Sequence, residues 1–260
     1  MARNLSAIIL LFSIAGAATA QMREFSDVGI DEKLGSRVAL DAALKDENGN
    51  NVTLRQYVDK PVILMFNYFR CPGICPVLIN NMVDVINRMP AVPGRDYRVV
   101  AVSFDPADTP QVAGEKKANY LNRMRRPFSP DSWHFLTGNA ENVRTVADSA
   151  GFRYRRQGDM FVHPGALIIL TPKGIVSRYL YGTSFVPADV EIGIQEAAGG
   201  QVLPTISRAL AFCYVSDPQG RGRVFSVTRF AGAATLAIAG IFVIFVIRGK
   251  SRRKRKTIQA

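Results

Sequence analysis

The sequence predicts an α/β fold: a mixed sheet flanked by helices, preceded by a small N-terminal hairpin and followed by one C-terminal transmembrane helix. Three observations carry this expectation. From residue 62 onward, short β-type apolar runs alternate with segments of helical period, the pattern of strands and helices packed in layers. The alternation closes on two strand-like runs, 166–170 and 175–180, joined at Pro172-Lys173-Gly174, which makes that last pair antiparallel. Residues 230–247 form an uncharged apolar run of 18 residues, long enough to cross the hydrocarbon of a bilayer.

The elements follow in chain order. Residues 1–20 have the layout of a signal peptide, with Arg3 as the basic start, an apolar stretch 5–18 and the small-residue pattern Ala18-Thr19-Ala20 before Gln21. Residues 21–36 are polar and without period, and read as a flexible leader. The folded domain is expected over 37–200. It opens with a hairpin of 38–44 and 52–54 turning at Asn48-Gly49, then one helical turn at 54–58. Strands are expected at 62–68, 97–104 and 133–136, and helices at 77–89, 110–122 and 140–150. Asp108 or Thr109 caps the second helix with Pro110 in its first turn, and Gly151 stops the third. Residues 152–161 read as a strand or hairpin, and 187–198 as a final helix ended by Gly199-Gly200. A juxtamembrane segment, 201–229, holds a second short hairpin of 211–215 with 223–227. The apolar run 230–247 and a basic tail, 248–260, complete the chain.

Composition narrows the functional classes. Apolar residues make up 48% of the chain, enough for a real core, and three cysteines are too few for a disulfide scaffold. The formal charge of +12 resembles that of a nucleic-acid binder, but seven positive residues lie in the tail and one in the signal segment, leaving +4 for everything between. That is mildly basic and argues against nucleic acid as a partner. The tail should remain cytoplasmic by the positive-inside rule, while the signal peptide exports residues 21–229. The two signals agree on a single-pass protein of a bacterial inner membrane, its domain in the periplasm or outside and its C-terminus in the cytoplasm.

The chemistry concentrates in Phe66-Asn67-Tyr68-Phe69-Arg70-Cys71-Pro72-Gly73-Ile74-Cys75-Pro76. A buried-type strand ends at two cysteines four positions apart, and a helix follows at once. Backbone N–H groups at a helix start favour thiolate over thiol, and i, i+4 spacing lets two sulfurs converge on one face. Two inert buried cysteines are the alternative, but a Pro/Gly turn at a helix start is an unusual place for them. Convergent thiols in an exported domain serve either dithiol–disulfide exchange or soft-metal binding. Zinc normally takes four ligands, and the chain offers no second cysteine pair. Imidazole and thiolate together suit copper. Of the two histidines, His134 lies within the expected strand 133–136 and reads as an ordinary strand residue. His163, in Phe161-Val162-His163-Pro164-Gly165, feeds the strand at 166–170. In a thioredoxin-like sheet the loop before the penultimate strand faces the Cys-bearing turn, which would bring His163 to Cys71 and Cys75; the alternative is a surface-loop histidine.

The motif around Cys71 and Cys75, together with Ser103-Phe104-Asp105-Pro106-Ala107-Asp108-Thr109, Trp133-His134-Phe135-Leu136-Thr137-Gly138 and His163-Pro164, resembles the Sco/SenC family over about residues 38–198. The resemblance implies a thioredoxin-like fold and a membrane-tethered copper chaperone with copper ligands at Cys71, Cys75 and His163. It implies a client, the copper A site of cytochrome c oxidase subunit II, together with a copper donor and a thiol reductant. Two features depart from the family pattern: the anchor is C-terminal rather than N-terminal, and the segment carrying Cys213 lies outside the common domain. The competing reading is an exported thiol–disulfide oxidoreductase using Cys71 and Cys75 as a redox-active pair. A peroxidase of peroxiredoxin type is disfavoured, because neither cysteine is preceded by a Thr-x-x-Cys arrangement.

Four features remain open at this level. Cys213 reads as a buried free thiol or as a partner in a further contact. Asp105 and Asp108 read as turn and capping residues or as supports for the site. Arg123-Met124-Arg125-Arg126 and Arg153-Tyr154-Arg155-Arg156 read as solvated faces or as contacts for anionic lipid or an acidic partner.

Overall fold

The computed structural model describes residues 27–71, 73–203, 214–216 and 223–225. Strand β1 (Gly29–Ile30), the hairpin β2 (Leu44–Lys45) and β3 (Asn51–Val52), and a 3-10 turn (Leu54–Tyr57) precede β4 (Val62–Asn67). Then follow α1 (Ile74–Arg88), β5 (Arg98–Ser103), α2 (Pro110–Leu121), β6 (Trp133–Leu136), α3 (Ala140–Ser149), β7 (Phe152–Arg153), β8 (Arg155–Gln157), β9 (Met160–Val162), β10 (Ala166–Leu170), β11 (Val176–Tyr181) and α4 (Pro187–Ala198).

Five strands form the central sheet in the order β11-β10-β4-β5-β6. β4, β5 and β6 run parallel, and β10 pairs antiparallel with both β4 and β11. All six residues of β4 are buried, because each face of the sheet carries its own apolar layer. Val62, Leu64 and Phe66 enter one layer with Val100 and Val102; Ile63 and Met65 enter the other with Val99, Ala101 and the inner face of α1. A strand covered on both faces reads as an unbroken apolar run rather than an alternation. The sheet delivers the C-terminal end of β4 to the start of α1, which fixes where the Cys motif must sit.

Local chemistry sets the element ends. Thr109 caps α2 by accepting the Val112 N–H, and Pro110 occupies the first turn, where its missing N–H costs nothing. Asn139 caps α3 by accepting the Asn142 N–H at 2.8 Å. Gly151, at φ +70°, ends α3 in the left-handed region. Helix α1 starts earlier than the periodicity suggests, at Ile74 instead of residue 77, because Pro76 falls at its third position, one of the first-turn positions that need no intrahelical N–H bond.

Two other expectations change. The N-terminal hairpin exists, but its strands are short, and the turn is organised by Asp46, whose Oδ1 accepts the N–H groups of Asn48 and Asn50. Residues 38–43 are tied elsewhere, with Val38 donating to the Gly174 carbonyl at 2.9 Å. The latter part of the leader is not featureless. β1 pairs antiparallel with β7, Asp31 donates to the Gly151 carbonyl, and Lys33 donates to the Tyr179 hydroxyl. These bonds reach far along the chain and leave no local period to read.

The chain divides into two units, Met1–Thr205 and Ile206–Ala260. In the second, β12 (Tyr214–Ser216) pairs antiparallel with β13 (Arg223–Phe225), the hairpin expected there. The signal segment, Cys213, the apolar run 230–247 and the basic tail lie outside the described residues. Among the described residues no helix is long and apolar enough to cross a membrane.

Candidate metal centre

The end of β4 and the start of α1 bring the two cysteines together from different local settings. Cys71 lies in the turn, its N–H bonded to the Tyr68 carbonyl, two residues before the Gly73 cap. Cys75 lies inside the first turn of α1. The convergence therefore comes from a turn closing onto a helix start, not from two positions on one helical face. Both thiols are free; Cys71 is 8% exposed and Cys75 1%.

His163 arrives from the loop between β9 and β10. Its Nε2 lies 3.3 Å from Cys75 Sγ, and its Nδ1 lies 3.0 Å from the Pro164 carbonyl. The carbonyl accepts a hydrogen bond from Nδ1–H, which leaves Nε2 as the lone-pair nitrogen facing the sulfur. Burial pushes the imidazole pKa down, with the Pro164 bond opposing, so the neutral, ligating form is favoured. The donor atoms of Cys71, Cys75 and His163 all lie within 4.8 Å of one another. Metal bonds of about 2.3 Å to sulfur and about 2.0 Å to nitrogen put donors that share one ion about 4 Å apart; the group is of that size, and the 3.3 Å Cys75–His163 pair would open slightly to admit an ion.

The two thiols are electrostatically unlike. Burial raises the Cys75 pKa strongly, and the neighbouring Cys71 adds to the rise. At Cys71 burial also opposes ionisation, but backbone N–H groups of Cys75 and Gly73 and the Tyr68 hydroxyl outweigh it and lower the pKa. The Gly73 N–H stands 3.3 Å from Cys71 Sγ. Both cysteines are buried; Cys71 is the thiolate-favouring one, and Cys75 the more deeply buried one beside the imidazole. Burial together with the Cys71 contact pushes the Tyr68 hydroxyl up to about 12.

An aromatic wall surrounds the site. Phe104 packs on His163 with ring centres 5.0 Å apart, and Tyr68 meets the same imidazole edge-on at 6.2 Å. Phe161 contacts both Tyr68 and Phe104, and Phe152 reaches His163 at 6.3 Å. Sequence reasoning assigned none of these rings to the site. Tyr68 was visible three residues before Cys71, but Phe104 and Phe161 look like ordinary core positions until the sheet closes.

The other candidates separate cleanly from this cluster. His134 lies outside it; its ring packs on Tyr57 at 4.1 Å, and Nε2 bonds the Asp131 carbonyl at 2.9 Å. Asp105 makes a local turn by accepting the Ala107 N–H. Asp108 is not the α2 cap, since Thr109 is; its side chain is fully buried behind the Cys turn. Arg126 is absorbed by the carbonyls of Ile86, Met89 and Ala91 at the end of α1.

The fold and the site define a thioredoxin-like α/β protein that carries a Cys-Cys-His group of metal-ligand type. The SCO1/SenC family model matches residues 31–194, and the chain belongs to that family. It is 29% identical over 143 residues to a Stutzerimonas stutzeri protein named for copper binding, covering 53% of this chain and 66% of that protein, just under two thirds of its length. It is 27% identical over 150 residues to the SCO1 protein homolog of Bacillus subtilis, covering 56% of this chain and 74% of that one. Among solved structures, an Aquifex aeolicus VF5 protein with an electron-transfer designation superposes with a TM-score of 0.59 at 27% identity, covering 64% of this chain and 95% of the other.

Proposed function

We propose that this chain is a membrane-tethered, exported copper chaperone that delivers copper to, or prepares, the copper A site of cytochrome c oxidase subunit II. The observation that carries the copper reading is the 3.3 Å approach of His163 Nε2 to Cys75 Sγ within the three-residue donor group. Two sulfurs and one imidazole form a soft donor set suited to copper. Cys71, the more exposed sulfur, is the natural first contact for incoming copper; Cys75 then yields its proton and His163 supplies the nitrogen. Relatives named for copper binding and family members described as cytochrome c oxidase assembly proteins support the cargo and the client. The tether rests on the apolar run 230–247 and the basic tail after it. A reporter fused after Ala260 should be active only in its cytoplasmic form; an active exported reporter there reverses the topology.

A second reading, a thiol–disulfide oxidoreductase, is favoured by the unlike thiols. A Cys71 that ionises more readily beside a more deeply buried Cys75 suits an attacking and a resolving thiol. His163 separates the two. Exchange chemistry does not need an imidazole ligand, whereas the copper site does, above all for Cu(II), which favours nitrogen donors. His163→Ala should leave a reducible Cys71–Cys75 disulfide, weaken Cu(II) binding sharply and Cu(I) binding less, and abolish oxidase assembly. Cys71→Ser or Cys75→Ser should abolish both activities, and His134→Ala neither. Full oxidase assembly with His163→Ala, combined with its loss in either cysteine variant, leaves the reductase reading standing alone.

A further inference from the structure

The aromatic wall of the metal centre has a second side. A cleft of about 170 Å³ is lined by the rings of Phe104, Tyr154 and Phe161, by Pro106, and by two exposed arginines, Arg144 of α3 and Arg156 of β8. Phe104 stacks on Tyr154 at 4.6 Å and packs on His163 at 5.0 Å, so one ring borders both the cleft and the imidazole. The aromatic lining alone names no occupant; the arginines do. Arg144 lies over the Tyr154 ring, 4.0 Å from its centre, and donates to the Tyr154 carbonyl at 3.1 Å. Arg156 stands 6.0 Å from the centre of the Phe161 ring, and its Nε donates to the Gly158 carbonyl at 3.0 Å. Each guanidinium is thus held by a carbonyl and an aromatic face with N–H donors to spare. Among the described residues no carboxylate pairs with either arginine, and no acidic residue lines the cleft. Arg153 belongs elsewhere: its charge bears on Asp31 of the leader.

Two positive groups without a carboxylate, fixed above an apolar floor, complement a side chain with a carboxylate at its end and methylenes behind it. A guanidinium held in place loses little freedom on pairing, and its planar fork matches a carboxylate. A protein that exchanges metal with a buried donor group must also seat beside that group. We propose that this cleft docks an acidic segment of the protein that exchanges copper with this chain, with a carboxylate of that segment on Arg144 and Arg156 and its methylenes on the aromatic floor. The partner's role in copper exchange rests on the proposed function; its acidic chemistry rests on the cleft.

The test is the binding of fluorescein-labelled hexaglutamate to the reduced, metal-free full-length protein in non-ionic detergent, read by anisotropy. Without metal, the peptide's carboxylates have no ion to bind. The parent should bind saturably, and more weakly as salt is raised. Arg144→Gln combined with Arg156→Gln should weaken binding at least about tenfold. Arg123→Gln combined with Arg125→Gln removes the same charge from the other basic cluster and should leave affinity within about twofold of the parent's. Should the cleft double variant not fold, Arg156→Gln alone, on the exposed β8–β9 hairpin, should weaken binding at least about threefold. An unchanged affinity in a folded cleft variant overturns the proposal. So does an equal loss in the Arg123/Arg125 control, which marks a general charge effect. Failure of the parent to bind the peptide, with phosphatidylglycerol micelles bound through Arg144 and Arg156 instead, overturns it in favour of a lipid surface. Copper affinity is measured on the same proteins and should not change in the cleft variant, because neither arginine belongs to the donor group. A parent that binds the peptide but no copper removes the proposed function and leaves the acidic docking site standing.

Discussion

Glu47 offers a prediction whose size can be worked from the structure. It reaches from the β2–β3 turn to α2 and β6, with its side chain 6% exposed. One oxygen pairs with the Lys117 ammonium, the other accepts the Phe135 N–H at 3.0 Å, and His134 Nδ1 lies at 3.8 Å. Burial alone would raise its pKa; the bonds from His134, Lys117 and Phe135 overcome burial and bring it from 4.5 down to about 2. That difference corresponds to about 3 kcal/mol of folding stability. The folded value is depressed, so the contribution is fully present above the ordinary carboxylate pKa and is lost as pH falls through about 4.5 toward 2. Glu47→Gln should therefore cost about 3 kcal/mol at pH 7 and nothing near pH 2, because the parent has lost the same contribution there. Urea unfolding followed by far-ultraviolet circular dichroism, repeated from pH 7 to pH 2.5 on both proteins, measures it. The variant should hold its copper affinity, since Glu47 is not part of the donor group. Parallel stability-versus-pH curves for the two proteins would refute the reasoning, as would a cost below about 0.5 kcal/mol at neutral pH.

Two further outcomes are expected. Closing the Cys71–Cys75 disulfide removes both thiolate ligands, so the oxidised protein should bind Cu(I) at least about a hundredfold more weakly than the reduced one in a competition titration; equal affinities would exclude the cysteines as ligands. Gly151→Ala should destabilise the domain by about 3 kcal/mol or more, because φ is +70° and a Cβ there would lie 1.9 Å from the Asp31 carbonyl oxygen. Hydrogen exchange at the Asp31 amide, which donates to the Gly151 carbonyl, should quicken in step; an unchanged rate together with unchanged stability counts against that close approach.

Legibility along the chain followed the range of the interactions. Helix α4 could be bounded at both ends from Pro187 and the glycines after Ala198, and β6 from its apolar run, because those signals are local. The same holds for the β10–β11 pair, set by the turn between them. The start of α1 was misread by three residues, since Pro76 looks like a helix breaker until its position within the first turn is known. β1 was not legible at all. Its two residues pair with β7 across more than a hundred positions, and a two-residue strand has no period. For the site, the three donor residues were legible from residue type, spacing and family resemblance, while the aromatic wall and the burial of Asp108 were not, because both depend on what the sheet brings together.

The chain alone determines an alternating α/β order, a Cys-bearing turn between a buried strand and a helix, and a histidine just before the β10 strand. These are properties of neighbouring residues: apolar period, turn chemistry and caps act over a few positions. Only the tertiary structure decides that Cys71 ionises more readily than Cys75, that His163 presents Nε2 to the sulfur, and that a carboxylate lies buried behind the turn. Those differences come from desolvation and from bonds between groups as far apart as Cys75 and His163, 88 positions along the chain. Desolvation and pairing are set by which surfaces meet, and surfaces meet only once the sheet has ordered its strands.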